Sequence, residues 1–266
     1  MSQLAADLRE MITEQVKYRE LLFQMTRRDL LLRYKQTVMG FGWAIFMPLV
    51  NTILFSVVFT RVAPIDTGMP YPLFAYCGLL VWNFSAASWR FAITSLTTNT
   101  SLVTKVYFPR EIFPISAVLV ALVDFATGAL LLAGLMWYYG FPVTPAVIAL
   151  PAIVLVQVLL TAGVALLISM ANLFYRDVKY IFELFLTVWM FMSSVLYPVT
   201  LVDGRAGELL RWNPMTLIVD AYRDVLLRGT YPPAGPFAAA AALSVVIFGA
   251  GWILFHRAEF QFAESV

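Results

Sequence analysis

The sequence predicts an all-α integral membrane fold with six transmembrane helices, and three observations carry that prediction. The first is composition: 61% of the 266 residues are hydrophobic and only 13% are charged, against about 25% charged in a soluble domain. The second is the recurrence of long apolar runs. At ~1.5 Å per residue, about 20 apolar residues match a ~30 Å hydrocarbon core. The third is charge asymmetry. Twelve of the eighteen lysines and arginines fall in segments placed in the cytoplasm, five outside, and Arg90 inside a span. Positive residues stay cytoplasmic, so six spans leave both termini inside. The chain divides into an N-terminal interfacial helix with a basic cluster (1–35) and a six-span domain (36–266).

Residues 2–25 read as an amphipathic helix lying in the interface, with Leu4, Leu8, Met11, Ile12 and Val16 at helical spacing. It is either a plain anchor or an element steering access to a pathway. The basic cluster Arg27, Arg28, Arg33 and Lys35 follows and fixes the entering flank of the first span, 37–60. There Gly40 and Gly42 allow close helix approach and Pro48 introduces a kink. A Pro- and Gly-containing outer loop leads to the second span, 72–96, which contains Arg90. An intramembrane charge needs water, a partner or the headgroups. Arg90 either snorkels, pairs with Asp124 of the third span, or faces a hydrated pathway.

Residues 97–113 form the first inner segment, more apolar than a solvated loop requires. Asn99 or Ser101 caps a short helix there, and Pro109 ends it. Its apolar side chains bury against a protein partner or against the chain's own helices. The third span, 112–139, ends in the aromatic belt Trp137, Tyr138 and Tyr139. The fourth, 146–173, returns to a second inner loop, YRDVKY, whose Arg176 and Asp177 read as a local ion pair, as do Arg223 and Asp224 further on. The fifth span is 182–201, with Glu183 at its inner end. Residues 203–230 lie outside and read as two short helices, the second opened by Asn213-Pro214 and stopped by Gly229. They are either a re-entrant gate or an interfacial anchor. The last span is 236–255, and its tail lies inside.

Several chemistries are missing from the pattern. No glycine is followed by lysine, so there is no phosphate loop of the GxxxxGK[ST] type. One histidine and one cysteine, Cys77, supply no metal-ligand cluster and no disulfide. No cleavable signal peptide is expected, since the first thirty residues are too charged. Asp124 alone makes a poor proton relay. The clustered boundary acids of a membrane glycosyltransferase are absent, and so is an inverted repeat. No catalytic residue is assigned, no cofactor is expected in this chain, and nothing suggests a nucleic-acid partner. Energy or chemistry therefore comes from another subunit, or the protein is passive. Trp43, Phe46, Trp82, Phe84, Trp89 and Tyr197, with Arg90, are channel candidates, because aromatic faces pack on sugar C–H faces. Core or lipid-facing packing is the alternative for each.

Three stretches match a known family: RRDLLLRYKQTVMGFGWAIFMPL at the first span, TTNTSLVTKVYFPREIFP at the inner segment, and RWNPMTLIVDAYRDVLLRG outside. They and their order resemble the membrane subunits of O-antigen polysaccharide ABC exporters (Wzm-like permeases). The resemblance implies one half of a homodimer in the bacterial inner membrane. Two copies of a separate ABC ATPase would bind ATP and magnesium. The cargo would be polysaccharide attached to undecaprenyl diphosphate. Leu102, Val103, Lys105, Val106, Tyr107, Phe108 and Arg110 would form the ATPase-coupling helix, with 175–180 a second contact. Arg27, Arg28, Arg33 and Lys35 would attract the lipid diphosphate, and Arg211, Trp212, Asn213, Pro214 and Tyr222 would belong to the outer gate. An exporter of a lipid or small molecule, and a membrane enzyme of lipid-linked sugar metabolism, are the competing readings.

Overall fold

The computed structural model describes residues 13–35, 37–40, 42–105 and 108–265, with the backbone alone for 105 and 263–265. Ten α-helices follow among the described residues: α1 (Arg19–Tyr34), α2 (Gly42–Val57), α3 (Tyr71–Thr98), α4 (Thr100–Lys105), α5 (Ile112–Tyr138), α6 (Leu150–Phe174), α7 (Val178–Phe191), α8 (Gly204–Arg211), α9 (Pro214–Arg223) and α10 (Ala234–Ser265). No strand occurs among them. Four segments are long and apolar enough to cross a membrane: Gly42–Val62, Ile112–Tyr138, Pro145–Phe174 and Ala234–Phe262.

The two other expected spans depart from that pattern for physical reasons. Helix α3 has the length, 28 residues, but carries a polar stripe described below. Helix α7 has only 14 residues, about 21 Å at ~1.5 Å each, and stops at Phe191 instead of running to 201. Residues 192–198 are irregular, and Ser193, Ser194, Val195 and Leu196 are buried. Irregular backbone at depth survives only if its polar groups find partners in the protein. Each carbonyl from Met192 to Leu196 does. Asn213 Nδ2 donates to Met192 O (2.6 Å) and Val195 N–H to Ser193 O (2.8 Å). Arg223 takes Ser194 O and, at 2.8 Å, Val195 O, and the Tyr71 hydroxyl donates to Leu196 O (2.9 Å).

The centre of the bundle is α3 against α5 and α6, with α10 beyond α6. Tyr76 donates to Gly128 O (2.9 Å) while Phe113 and Leu96 meet at the opposite ends, so α3 and α5 run antiparallel. Helices α3 and α6 run parallel and are joined by a buried polar ladder. Gln157 Nε2 donates to Val81 O (2.8 Å), Ser85 and Thr161 hydroxyls pair at 3.0 Å, Trp89 Nε1 donates to Thr161 O (3.0 Å), and Asn172 Nδ2 donates to Ile93 O (2.8 Å). Helix α10 lies parallel to α6, closest at Gly163 and Gly251; a Cβ on Gly163 would meet Phe248 N at 2.6 Å. The expected close approach at Gly40 and Gly42 does not occur. Gly40 sits at φ 53° in a turn before α2 with no atom near its Cβ position, and Gly42 meets only Met39.

The ends are also revised. Residues 13–17 are helical, and α1 continues past Met25 through the basic cluster to Tyr34; the start of the expected amphipathic helix, residues 1–12, lies outside the described residues. Tyr18, Leu21, Leu22 and Met25 pack on a cluster of Leu96, Val103, Phe108, Ile112, Phe113, Leu173, Phe255 and Phe262. The last helix runs ten residues beyond the expected span, to Ser265.

Candidate functional site

A polar stripe on α3 builds the site. Buried residues dominate this helix, but Asn83, Ala87, Arg90, Phe91, Thr94 and Thr98 stay accessible at helical spacing along one side. The stripe borders two clefts that share Arg33. One, of about 390 Å³, lies between α2, α3 and α5 and is lined by Trp43, Met47, Asn51, Asn83, Phe84, Arg90, Asp124 and Tyr34. The other, of about 370 Å³, continues past Asp29, Phe91, Thr94, Thr98 and Asn99. Together they make a track on the flank of the bundle whose lining is mainly apolar, with Arg33, Asn83, Arg90, Asp124 and Thr94 set along it.

Charge pairing along this track differs from the sequence expectation. Arg90 does not meet Asp124. Its Nε donates to both carboxylate oxygens of Glu183 on α7, at 3.0 and 3.1 Å. Asp124 instead takes Arg33 through Oδ2 (2.5 Å) and the Tyr34 hydroxyl through Oδ1. The Arg33 guanidinium also lies over the Phe91 ring, 4.3 Å from its centroid. Burial and the Asp124 carboxylate raise the Tyr34 phenol above its usual range, so it remains a donor. Replacing Asp124 with alanine leaves Arg33 and Tyr34 without this acceptor. A loss of about 1.5–3 kcal/mol is expected, read as a lower melting temperature of the purified chain.

The four clustered cations therefore divide. Arg28 is held by Asp29 (2.8 Å) and by Asn99 (3.1 Å), and Arg33 by Asp124. Arg27 and Lys35 remain exposed, with no ion pair among the described residues. Of the aromatic channel candidates, Trp43 and Phe46 are accessible and pack edge to face at 5.7 Å. Trp82 and Trp89 are buried against Trp189, Trp89 stacked on it at 4.9 Å and Trp82 edge-on at 6.0 Å. They build the core because their rings turn toward Thr161 of α6 and Trp189 of α7. Phe84 is also buried and reaches the cleft only along its edge. Tyr197 is partly exposed and donates to Phe191 O.

The expected coupling helix is present as α4, ending at Lys105. Val106, Tyr107 and the Lys105 side chain lie outside the described residues. Val103 and Phe108 are buried in the chain's own cluster, and Leu102 packs against it. Arg110 also turns inward, donating to Val103 O (3.1 and 3.2 Å) and to Glu259 O (2.9 Å). Asn99 does not cap α4 with its side chain; Nδ2 donates back to Ser95 O at 2.8 Å. On the second inner loop Tyr175 and Tyr180 are exposed. Arg176 and Asp177 form no ion pair among the described residues.

Of the outer pair of helices, α9 is packed into the bundle, while α8 is largely exposed and buries only Gly207 and Leu210. Helix α9 starts at Asn213, whose side chain accepts Met215 N–H (3.0 Å), with Pro214 at the first helical position. It gives way to a π-turn, Asp224–Arg228, before Gly229 at φ 69°. Met215, Ile218, Val219, Tyr222 and Val225 are buried, and the Tyr222 hydroxyl donates to Gln157 Oε1 at 2.8 Å. Arg211 and Trp212 are exposed. Arg223 pairs with Asp220 (3.3 Å) and Asp224 with Arg228 (2.6 Å), so the expected Arg223–Asp224 pair does not form. The sequence reading missed Asn51, Asn83 and Tyr34 on the cleft. Two asparagines one span apart were the available signal.

A helical bundle with four membrane-length segments among the described residues and clefts beside its core is that of a multi-pass membrane protein. The chain belongs to the ABC-2 type transporter family, whose pattern matches residues 20–227. It is 30% identical to the O-antigen export system permease protein RfbA of Myxococcus xanthus over 96% of this chain and 99% of that protein. The protein of the same name from Klebsiella pneumoniae is 26% identical over 92% and 94%, respectively. The polysialic acid transport protein KpsM of Escherichia coli is 22% identical over 76% and 79%. Family membership implies a membrane setting and a partner ABC ATPase.

Proposed function

We propose that this chain is one half of the membrane pathway of an ATP-driven exporter of O-antigen-like polysaccharide carried on undecaprenyl diphosphate. The polar stripe of α3, with its two clefts, is the observation that carries the reading. A sugar polymer needs hydroxyl and amide partners along its path, and a lipid-only or small apolar cargo does not. The names of relatives that align over nearly their whole length point the same way.

In this reading the chain crosses the bacterial inner membrane six times, α3 and α7 completing the set, with both termini cytoplasmic. Two copies enclose the channel. Arg27 and Lys35, which form no ion pair among the described residues, draw the lipid diphosphate to the cleft. Helices α8 and α9 re-enter from outside as a gate, with Arg211, Trp212, Asn213 and Pro214 at its rim. Two ABC ATPase copies hold ATP and magnesium and dock on α4 and the loop after it, with Tyr175 and Tyr180 a second contact. Their closure rocks α4 and alters the channel width.

The test is co-purification with the ATPase subunit, followed by ATPase assay with and without lipid-linked polysaccharide. Polysaccharide should stimulate hydrolysis. The Val106→Asp/Tyr107→Asp double variant should insert normally yet lose that stimulation by an order of magnitude or more, ~1.4 kcal/mol in the coupling. A partnerless chain that turns over a lipid-linked sugar by itself would replace the exporter with an enzyme.

A further inference from the structure

At the end of the bundle that carries α4, three side chains from distant parts of the chain converge. Glu111 caps the start of α5, and His256 and Glu259 lie one turn apart on α10. Glu111 is 1% exposed. Its Oε1 is 3.3 Å from His256 Nδ1, while its Oε2 is buried with no hydrogen-bond partner among the described residues. Glu259 Oε2 is 3.8 Å from the same nitrogen. The other Glu259 oxygen, Oε1, is occupied by the Arg110 backbone N–H at 2.9 Å, and the Arg110 guanidinium approaches to 3.7 Å on that side. One ligand atom from each of Glu111, His256 and Glu259 falls within 4.8 Å of the others.

We propose that Glu111, His256 and Glu259 bind one divalent transition-metal ion of the zinc class, which pins the segment after α4 to the last helix. A buried carboxylate oxygen without a partner is costly, and such an atom in a native site asks for an unseen ion or water. A protonated imidazole does not meet the need. Its Nδ1 has one proton for two carboxylates, the 3.3 Å separation exceeds the ~2.7–2.9 Å of a charge-assisted bond, and Glu111 Oε2 stays bare. A metal ion takes one atom from His256 and one from Glu259 and chelates through both oxygens of Glu111, which gives Oε2 its partner. With metal–ligand bonds of about 2.0–2.1 Å, neighbouring ligand atoms of a tetrahedron lie about 3.3–3.4 Å apart, which the Glu111–His256 separation already matches. One imidazole and two carboxylates suit zinc, cobalt or manganese; magnesium prefers oxygen alone. Two carboxylates also leave net negative charge for a divalent ion to balance, after one Arg110 guanidinium set toward the outer oxygen.

The chain makes the test clean. His256 is its sole histidine and Cys77 its sole cysteine, the latter buried in α3. Full-length chain, purified with a histidine-free tag and stripped with EDTA, is titrated with Co²⁺. Binding is read by equilibrium dialysis and by visible absorption. One cobalt per chain is expected, with the intense bands of a four-coordinate ion, displaced by Zn²⁺. His256→Ala and Glu259→Gln should each weaken binding by more than about 100-fold, since even supporting partners of metal ligands are worth 10–100-fold. Glu183→Gln, a carboxylate elsewhere, should leave it unchanged. Unmutated chain that takes up no stoichiometric cobalt overturns the site, and so does cobalt binding that His256→Ala leaves intact. The wild-type titration decides the matter even if a variant misfolds.

Discussion

Replacing Arg223 with methionine is expected to cost the folded chain on the order of 3–5 kcal/mol, the scale of removing one partner from a buried charged network. Arg223 is fully buried. Its guanidinium stacks 3.5 Å from the centroid of the Phe74 ring and donates to the carbonyls of Ser194, Val195 and Phe74. Methionine fills the space but strands those carbonyls in the segment where α7 has unwound. Lysine retains the charge but offers a single point of donation, so it cannot serve both carbonyls and lie flat on Phe74. Arg223→Lys should therefore fall between the two. The measurement is membrane yield and melting temperature, with limited proteolysis across 192–201. Wild-type melting and protease resistance in Arg223→Met would show that the unwound segment is held by something else.

The second large effect is expected at Gly163. A Cβ there would lie 2.6–2.8 Å from the main chain of Ile247 and Phe248 on α10, atoms that cannot rotate away. Gly163→Val should force α6 and α10 apart and destabilise the chain by about 3 kcal/mol, the upper end of ordinary overpacking costs. Gly163→Ala should cost less. Gly251 faces the same contact, where an added Cβ would lie 2.7 Å from Gly163 O, so substitutions at the two positions should not add. Gly249, with nothing within 4 Å of its Cβ position, is the internal control. Gly249→Ala should be neutral or slightly stabilising. Equal melting temperatures for Gly163→Val and Gly249→Ala would dismiss the contact.

Helices α2, α5, α6 and α10 were legible in the sequence because each is a continuous apolar run bounded by charge or turn residues. The break in α7 was not. Residues 192–201 are apolar enough to extend a span, and composition does not separate a buried irregular segment from a buried helix. Ser193-Ser194 and Tyr197-Pro198 were the faint local signals. Charge pairing was out of reach for another reason. Arg33 and Asp124 lie on different helices, as do Arg90 and Glu183. Which acid faces which base depends on helix rotation, and uniformly apolar helices constrain rotation poorly. The same ambiguity hid the inward turn of Val103, Phe108 and Arg110. An apolar side chain next to an inner loop reads alike whether it meets a partner or its own bundle.

The ladder between α3 and α6 has a mechanical consequence. Its rungs recur about every turn along α3, from Val81 to Ile93, and meet α6 at Gln157, Thr161 and Asn172, and each is buried. A piston stroke of one turn, ~5.4 Å, would empty every rung at once with no water to compensate. These two helices must travel together as a single strut. Motion then falls to α2, which this chain buries far less than α6. A stiff pylon with one loose stave beside it can open sideways without any helix sliding along its neighbour.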